Sequence, residues 1–119
     1  MDTENLLECY VNLKREMETY MKYLDAWDKK VAIWGASHQG FTLAATTKLG
    51  EKARYIIDSA PFKQGKFAPA SHLPIVGPDH FHEHPVDAII ITAPGYTDEI
   101  AASIRQKFGT SVEIRPCVP

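Results

Sequence analysis

Long apolar runs are missing from this sequence: the longest, such as residues 88–91, extend over only a few positions. A membrane-spanning helix needs roughly 20, so no membrane partner is expected. An excess of basic charge is missing too. Thirteen Lys and Arg face fifteen Asp and Glu, for a net charge of −2. Residues 1–30 hold five basic and seven acidic side chains, and residues 31–119 hold eight of each. Neither part offers the basic face that binds a nucleic-acid backbone, so no nucleic acid is expected as a partner. Cysteine is scarce. Cys9 and Cys117 stand alone, without metal-ligand spacing. Neither a disulfide framework nor a thiolate metal site is expected, and a reduced cytoplasm fits best. The start, Met-Asp-Thr-Glu-Asn, is acidic and polar, unlike the charged and then apolar opening of a signal peptide. Internal repeats and low-complexity segments are also absent from the sequence.

What is present suits a globular protein. Apolar residues make up 45% and charged residues 24%, which argues against disorder. Neither Gly nor Pro occurs between Met1 and Lys30. Apolar side chains recur there at Leu6, Tyr10, Leu13, Met17, Tyr20, Leu24 and Trp27, alternately four and three positions apart. That is the a/d spacing of a helix, and Thr3 is placed to cap it. The pattern predicts a helix over 3–29, roughly 40 Å long at about 1.5 Å per residue. Three readings of the stripe stand side by side: a helix laid across its own sheet, the seam of a homodimer, or a contact with a neighbouring domain.

From Val31 onward the pattern changes to short strands alternating with helices. Strands are predicted at 31–34, 53–57, 75–76, 86–92 and 112–114. Helices are predicted at 39–49, stopped by Gly50, and at 96–108, with Gly109 just past the end. Pro78 and Asp79 open a short helical turn over 80–83, and residues 58–74 form a long connection. Strands separated by helices specify an α/β fold. The expected architecture is a Rossmann-like three-layer sandwich with a parallel sheet of about five strands. It is preceded by a long N-terminal helix, with residues 1–30 as the helix and 31–119 as the Rossmann-like domain. Ligands of such sheets bind at the carboxyl ends of the strands, where neighbouring crossovers diverge.

That edge collects the first strand's exit, Gly35-Ala36-Ser37-His38-Gln39-Gly40. The dinucleotide fingerprint would place Gly at position 37, and the phosphate loop of NTPases would place Lys after Gly40; Ser37 and Phe41 stand there instead. The turn either serves only tight strand–helix packing or presents helix N-terminal amides to an anion. Asp58 lies 23 residues after Gly35, where a ribose-binding acid sits in dinucleotide folds; its other reading is a cap on the turn that follows. Lys63-Gln64-Gly65-Lys66 shows two cations with no acid beside them, either a phosphate contact or a solvated loop. His80, His82 and His84 alternate. On a strand they would share one face and suit zinc, but the flanking prolines favour a turn or loop, and no metal is expected. His38 is the histidine placed beside the turn. No catalytic triad or paired acids can be read, so no catalytic residue is assigned.

Taken in order, Trp34-Gly35-Ala36 with Gly40, Asp58 and Pro61 with Lys63-Gln64-Gly65-Lys66, Pro69, Pro74-Ile75, and Tyr96 with Asp98-Glu99-Ile100 resemble one known family. It is the C-terminal domain of the nucleotide-sugar C-methyltransferases of deoxysugar biosynthesis. The resemblance covers about residues 31–115, and its most specific piece is the Asp-x-x-Pro-x-Lys-Gln-Gly run that starts at Asp58. In that family a zinc-binding part and a methyl-donor-binding domain precede this one. The resemblance implies a non-catalytic domain that packs on the catalytic domain and helps enclose the sugar nucleotide. Two departures stand out. The family usually has Gly-Ala-Gly-x-Lys-Gly at the turn, where this chain has Ser37 and Gln39, which weakens an anion site there. The family usually follows the second loop proline with Gly, where this chain has Ala70.

The expected function is therefore an accessory Rossmann-like domain of an S-adenosylmethionine-dependent sugar C-methyltransferase. Its ligand site is expected at Gly35, Ala36, Ser37, His38, Gln39, Gly40 and Asp58, with Lys63, Gln64, Gly65 and Tyr96 at the rim. The methyl donor is expected only in a separate catalytic domain, and this chain alone is expected to be inactive. Expected partners are a weakly held nucleotide-sugar, the catalytic domain in cis or trans, and a second copy through the N-terminal helix. The alternatives are a free-standing nucleotide- or dinucleotide-binding sensor and a structural dimerisation domain.

Overall fold

A computed structural model describes residues 3–36, 38–46, 49–92 and 96–116, with side chains described except at 3–14, 38, 39, 43, 46 and 49. The chain runs α1 (Thr3–Ala26), β1 (Val31–Trp34), α2 (His38–Thr46), α3 (Leu49–Lys52), β2 (Ile56–Ile57), β3 (Ile75–Val76), α4 (His80–Glu83), β4 (Ala88–Ile91), α5 (Thr97–Phe108) and β5 (Glu113–Pro116). The five strands form one sheet in the order β3-β2-β1-β4-β5. Every pairing is parallel, with Ile33 beside Ile56 and Ile90 across the centre. The expected α/β architecture and parallel sheet are therefore what the chain forms.

The centre is β-branched for a physical reason. β1 and β4 are buried on both faces, and a strand between two helical layers has no side to give to water. Alternate residues sort into two cores. Val31, Ile33, Ile56, Ala88 and Ile90 pack with Met17, Tyr20, Met21 and Leu24 of α1 and with Ala44 of α2. Ala32, Trp34, Ile57, Ile89 and Ile91 pack with Phe81 of α4 and with Ala101 and Ile104 of α5. The helix after β1 thus lies on one face and the helix after β4 on the other. The crossovers diverge between these two neighbouring strands.

The stripe on α1 follows the first of its three readings along its described side chains. Met17 and Leu24 are almost fully buried against the sheet, while Trp27, the stripe's last member, is 70% exposed. The Tyr20 hydroxyl donates to Glu113 Oε2 at 2.8 Å, joining α1 to β5. Burial and that bond raise the Tyr20 phenol above its usual range. Burial likewise pushes Tyr55 up to about 12, and its hydroxyl donates to the His84 carbonyl at 2.7 Å.

Several predicted boundaries differ: β4 keeps Ala88–Ile91 of the predicted 86–92 and β5 is Glu113–Pro116 rather than 112–114, and three further differences have a local reason or contact. α1 ends at Ala26 rather than near residue 29. Asp28 turns left-handed (φ 50°), the Lys29 N–H reaches back to the Leu24 carbonyl and the Asp28 N–H to that of Asp25. This is a Schellman closure with Asp in the position glycine usually fills. Gly50 does not stop a helix over 39–49. It lies inside α3, where a Cβ would run into the Ala44 carbonyl, so it is a packing glycine between α2 and α3. β2 keeps only Ile56–Ile57 of the predicted 53–57, although the Arg54 N–H still bonds to Val31 O at 2.9 Å.

The long connection after β2 folds back on the sheet edge. The Gly65 N–H bonds to Ile75 O, the Ile75 N–H to Lys66 O, and Phe67 bridges Pro74 antiparallel. This strap covers the edge of β3, which would otherwise offer unpaired backbone groups. Its tip turns through Ala70, held left-handed at φ 65°. That is the position where the resembling family carries Gly.

Two outcomes are expected. Leu24→Ala lowers stability by about 3 kcal/mol, and Trp27→Ala changes it by less than about 0.5 kcal/mol, both read from urea denaturation midpoints. Ala70→Gly removes a left-handed strain of about 1–2 kcal/mol at the expense of a more flexible unfolded chain, and so raises stability by about 0.5 kcal/mol. A lowered midpoint for Ala70→Gly would show that the left-handed turn is not strained.

Candidate functional site

The first strand leaves the sheet through Gly35, whose φ of +127° suits glycine. A Cβ there would stand 2.7 Å from Thr92 Oγ1, and one at Gly40 would overlap the Gly35 carbonyl oxygen. Thr92 is fully buried, and its hydroxyl lies 3.2 Å from Trp34 O and 3.3 Å from Gly35 O. The two glycines therefore let α2 and the end of β4 close onto the end of β1. Close packing is one of the two readings of this turn, and the geometry supplies it.

Asp58 completes the turn from the next strand. Its Oδ2 accepts the Ala36 N–H at 2.9 Å and its Oδ1 accepts the Ala60 N–H at 2.9 Å. The second bond is a local Asx cap, as one of the two readings of Asp58 expected. The first bond goes further and ties β2 to the glycine turn of β1. Lys63 is part of the same knot. Its Nζ donates to the Ala36 carbonyl at 2.9 Å and lies 3.7 Å from Asp58 Oδ2. The sequence shows no acid beside Lys63, but in three dimensions Asp58 is that acid. Gln64 Nε2 donates to the Asp58 carbonyl at 2.9 Å, and its amide lies against Gly77.

A crevice of about 460 Å³ opens beside this knot, at the carboxyl ends of the strands. Trp34, Gly35, Asp58, Ser59 and Pro78 line its sheet side. Tyr96, Glu99, Ile100, Ser103 and Lys107 line the α5 side. Tyr96 is 61% exposed and stands at the rim; Trp34 is 7% exposed.

Of the residues singled out by sequence, Gly35, Asp58 and Tyr96 meet at this crevice. Ala36, Gly40 and Lys63 lie behind it in the packing and hydrogen bonds of the turn. Gln64 and Gly65 line a different cleft, of about 550 Å³, along the strap and β3. Ser37 lies outside the described residues, as do the side chains of His38 and Gln39 and the 93–95 turn. The α5 residues were missed. Glu99, Ser103 and Lys107 recur every four positions on a helix that begins just after a buried strand, which is the signal that could have found them.

The histidine run lies elsewhere. His80 and His84 face each other at 4.8 Å between ring centroids, with Tyr55 edge-on to His80, while His82 meets Phe108 edge-on. His80 and His82 lie in the helical turn α4 and His84 caps its end, rather than sharing a strand face. Among the described residues, no group of three or more His, Cys, Asp or Glu is disposed to hold a metal ion. No described helix is long and apolar enough to cross a membrane.

Comparison with known proteins gives two matches. A family model described as the C-methyltransferase C-terminal domain matches residues 5–115, and so takes in α1 as well as the sheet. The C-methyltransferase NovU of Streptomyces niveus is 37% identical over 73 residues. That alignment covers 60% of this chain and 17% of the relative, so the chain matches only a small part of that protein.

The Asp58 knot generates an expectation of its own. Asp58→Ala lowers stability by about 2 kcal/mol, because it strips acceptors from the Ala36 and Ala60 amides and leaves Lys63 without its anion. In a double-mutant cycle with Lys63→Met the two positions couple by about 0.5–1 kcal/mol. Strictly additive effects in denaturation would mean that the pair contributes nothing.

Proposed function

This chain belongs to the C-methyltransferase C-terminal domain family, and from that premise we propose that it is the non-catalytic, Rossmann-like accessory domain of a sugar C-methyltransferase. It helps enclose a nucleotide-sugar, and the transfer itself takes place on a separate catalytic domain. The observation that carries this reading is the crevice between the ends of β1 and β2 and the polar face of α5. It lies where ligands of parallel α/β sheets bind, and it mixes an aromatic wall with a few convergent polar groups, the usual make-up of a small-molecule site.

The residues present do not fit the methyl donor. Its ribose would need a free acid at the end of β2, and both oxygens of Asp58 are already engaged by the Ala36 and Ala60 amides. The donor belongs to the catalytic domain, and no step is routed through it here. The same engagement weighs against the alternative of a dinucleotide-binding sensor, which needs that carboxylate for its cofactor. The partner is the catalytic domain, in cis or trans. It supplies the opposite wall of a crevice that this chain leaves open, so binding by this chain alone is weak.

The test is a protein NMR titration of the 119-residue chain with thymidine diphosphate glucose. Binding is expected with a dissociation constant on the order of 1 mM, with shifts gathered at Gly35, Asp58, Ser59 and Ser103. S-adenosylmethionine at the same concentration is expected to leave those amides unmoved. Shifts confined to the opposite edge, around Lys30, Arg54 and His84, would reduce the crevice to architecture.

A further inference from the structure

We propose that His80 and His84 form a two-imidazole chelate for a divalent transition-metal ion of the nickel, copper or zinc kind. The site lies at the amino ends of the strands, apart from the crevice, and does not depend on the accessory reading above.

On a strand the histidine run would present three rings on one face. The chain takes another course. A helical turn puts residues four apart on one side, so His80 and His84 pair while His82 turns to Phe108. Two histidines at that spacing are the ligand pair that helices present to zinc.

The ring geometry agrees. An imidazole nitrogen binds such an ion at about 2.0–2.1 Å, which puts the ring centroid ~3.2 Å from the metal. For nitrogen–metal–nitrogen angles of about 90–110° the two centroids then stand ~4.5–5.2 Å apart. In this chain they stand 4.8 Å apart, with the ring planes inclined by 33°. The pair is also held in place by its neighbours. The His84 N–H bonds to the His80 carbonyl at 3.0 Å, and the His84 carbonyl accepts the Tyr55 hydroxyl at 2.7 Å. The buried Tyr55 ring meets His80 edge-on. Among the described residues, no ion pair or side-chain hydrogen bond engages either imidazole. Ligands fixed in this way lose little freedom on binding.

The surrounding charges neither attract nor exclude a cation. Lys30, Arg54 and Glu83 line a cleft of about 400 Å³ together with both rings. Asp79 and Lys66 line the next cleft with His80 and Glu83, and the Asp87 carboxylate accepts the Lys30 amide. Three cations thus meet three carboxylates, and ligand chemistry decides the ion. Magnesium and calcium ask for clustered oxygens, and the described residues gather no such cluster. Imidazole nitrogen suits nickel, copper and zinc. Two protein ligands leave the other positions to water, so the ion is exchangeable.

The test is an NMR titration of the untagged 119-residue chain, first stripped with a chelator, using nickel chloride and, separately, magnesium chloride. Paramagnetic nickel is expected to broaden the His80 and His84 ring signals first, with a dissociation constant on the order of 10–100 µM. Magnesium is expected to leave them in place. His84→Gln, at an exposed position, is expected to weaken nickel binding by at least about tenfold, since the chelate becomes a single ligand. His80→Gln does the same, and His82→Gln leaves the affinity unchanged. Should His80→Gln disturb the packing on Tyr55, His84→Gln still decides. Broadening centred on His38, His72 or His82, an affinity unmoved by His84→Gln, or no broadening at about 1 mM nickel would overturn the inference. So would ring signals that respond to inorganic phosphate and not to nickel, which would make the cleft an anion site of Lys30 and Arg54.

Discussion

The Asp58 carboxylate accepts hydrogen bonds from amides at two different strand exits, Ala36 after β1 and Ala60 after β2, and holds Lys63 beside them. These contacts fix how β1 and β2 end relative to each other. The loop that starts at Asp58 is fixed with them, because Gln64 bonds back to the Asp58 carbonyl. From Gln64 the chain folds into the strap that covers β3. The carboxyl edge on one side of β1 is therefore a hydrogen-bonded unit rather than a set of independent loops. These bonds set the shape of the crevice's rim on that side.

The other side of β1 is held by close packing instead. Gly35 and Gly40 leave no room for side chains between the end of β1, the first turn of α2 and Thr92. Thr92 fills that space and offers its hydroxyl to the Trp34 and Gly35 carbonyls, while its N–H bonds to the Trp34 carbonyl at 3.0 Å. The glycine turn thus works as a joint. Family membership extends this picture, because the matched pattern runs from residue 5 to residue 115 and includes the helix that packs on the sheet.

Much of the fold is legible in the sequence because its signals are periodic. The heptad of α1, the buried runs of β1 and β4 and the polar–apolar alternation of α5 each specify an element without reference to the rest. What escapes is set by single residues in unusual backbone states. Asp28 closes α1 early by turning left-handed, which glycine usually announces and aspartate does not. Gly50 looks like a stop and is a packing contact. The site is less legible than the fold. Glu99, Ser103 and Lys107 read as the solvated face of a helix until the sheet end is placed opposite them. The pairing of Lys63 with Asp58 depends on a loop path that has no period to betray it. Ala70 departs from the pattern of the resembling family, and its left-handed backbone at φ 65° is what the structure adds to that departure.

The crossover from β3 to β4 spans only residues 77–87 and carries a single helical turn, α4. Such a connection is near the shortest that can pass between parallel strands. A longer one would lay a full helix across β1 and β2 on the face that α4 shares with α5. In its place the rings of Phe81 and Phe108 stack 4.0 Å apart against that face. Lengthening this one connection would thicken that layer without altering a single strand.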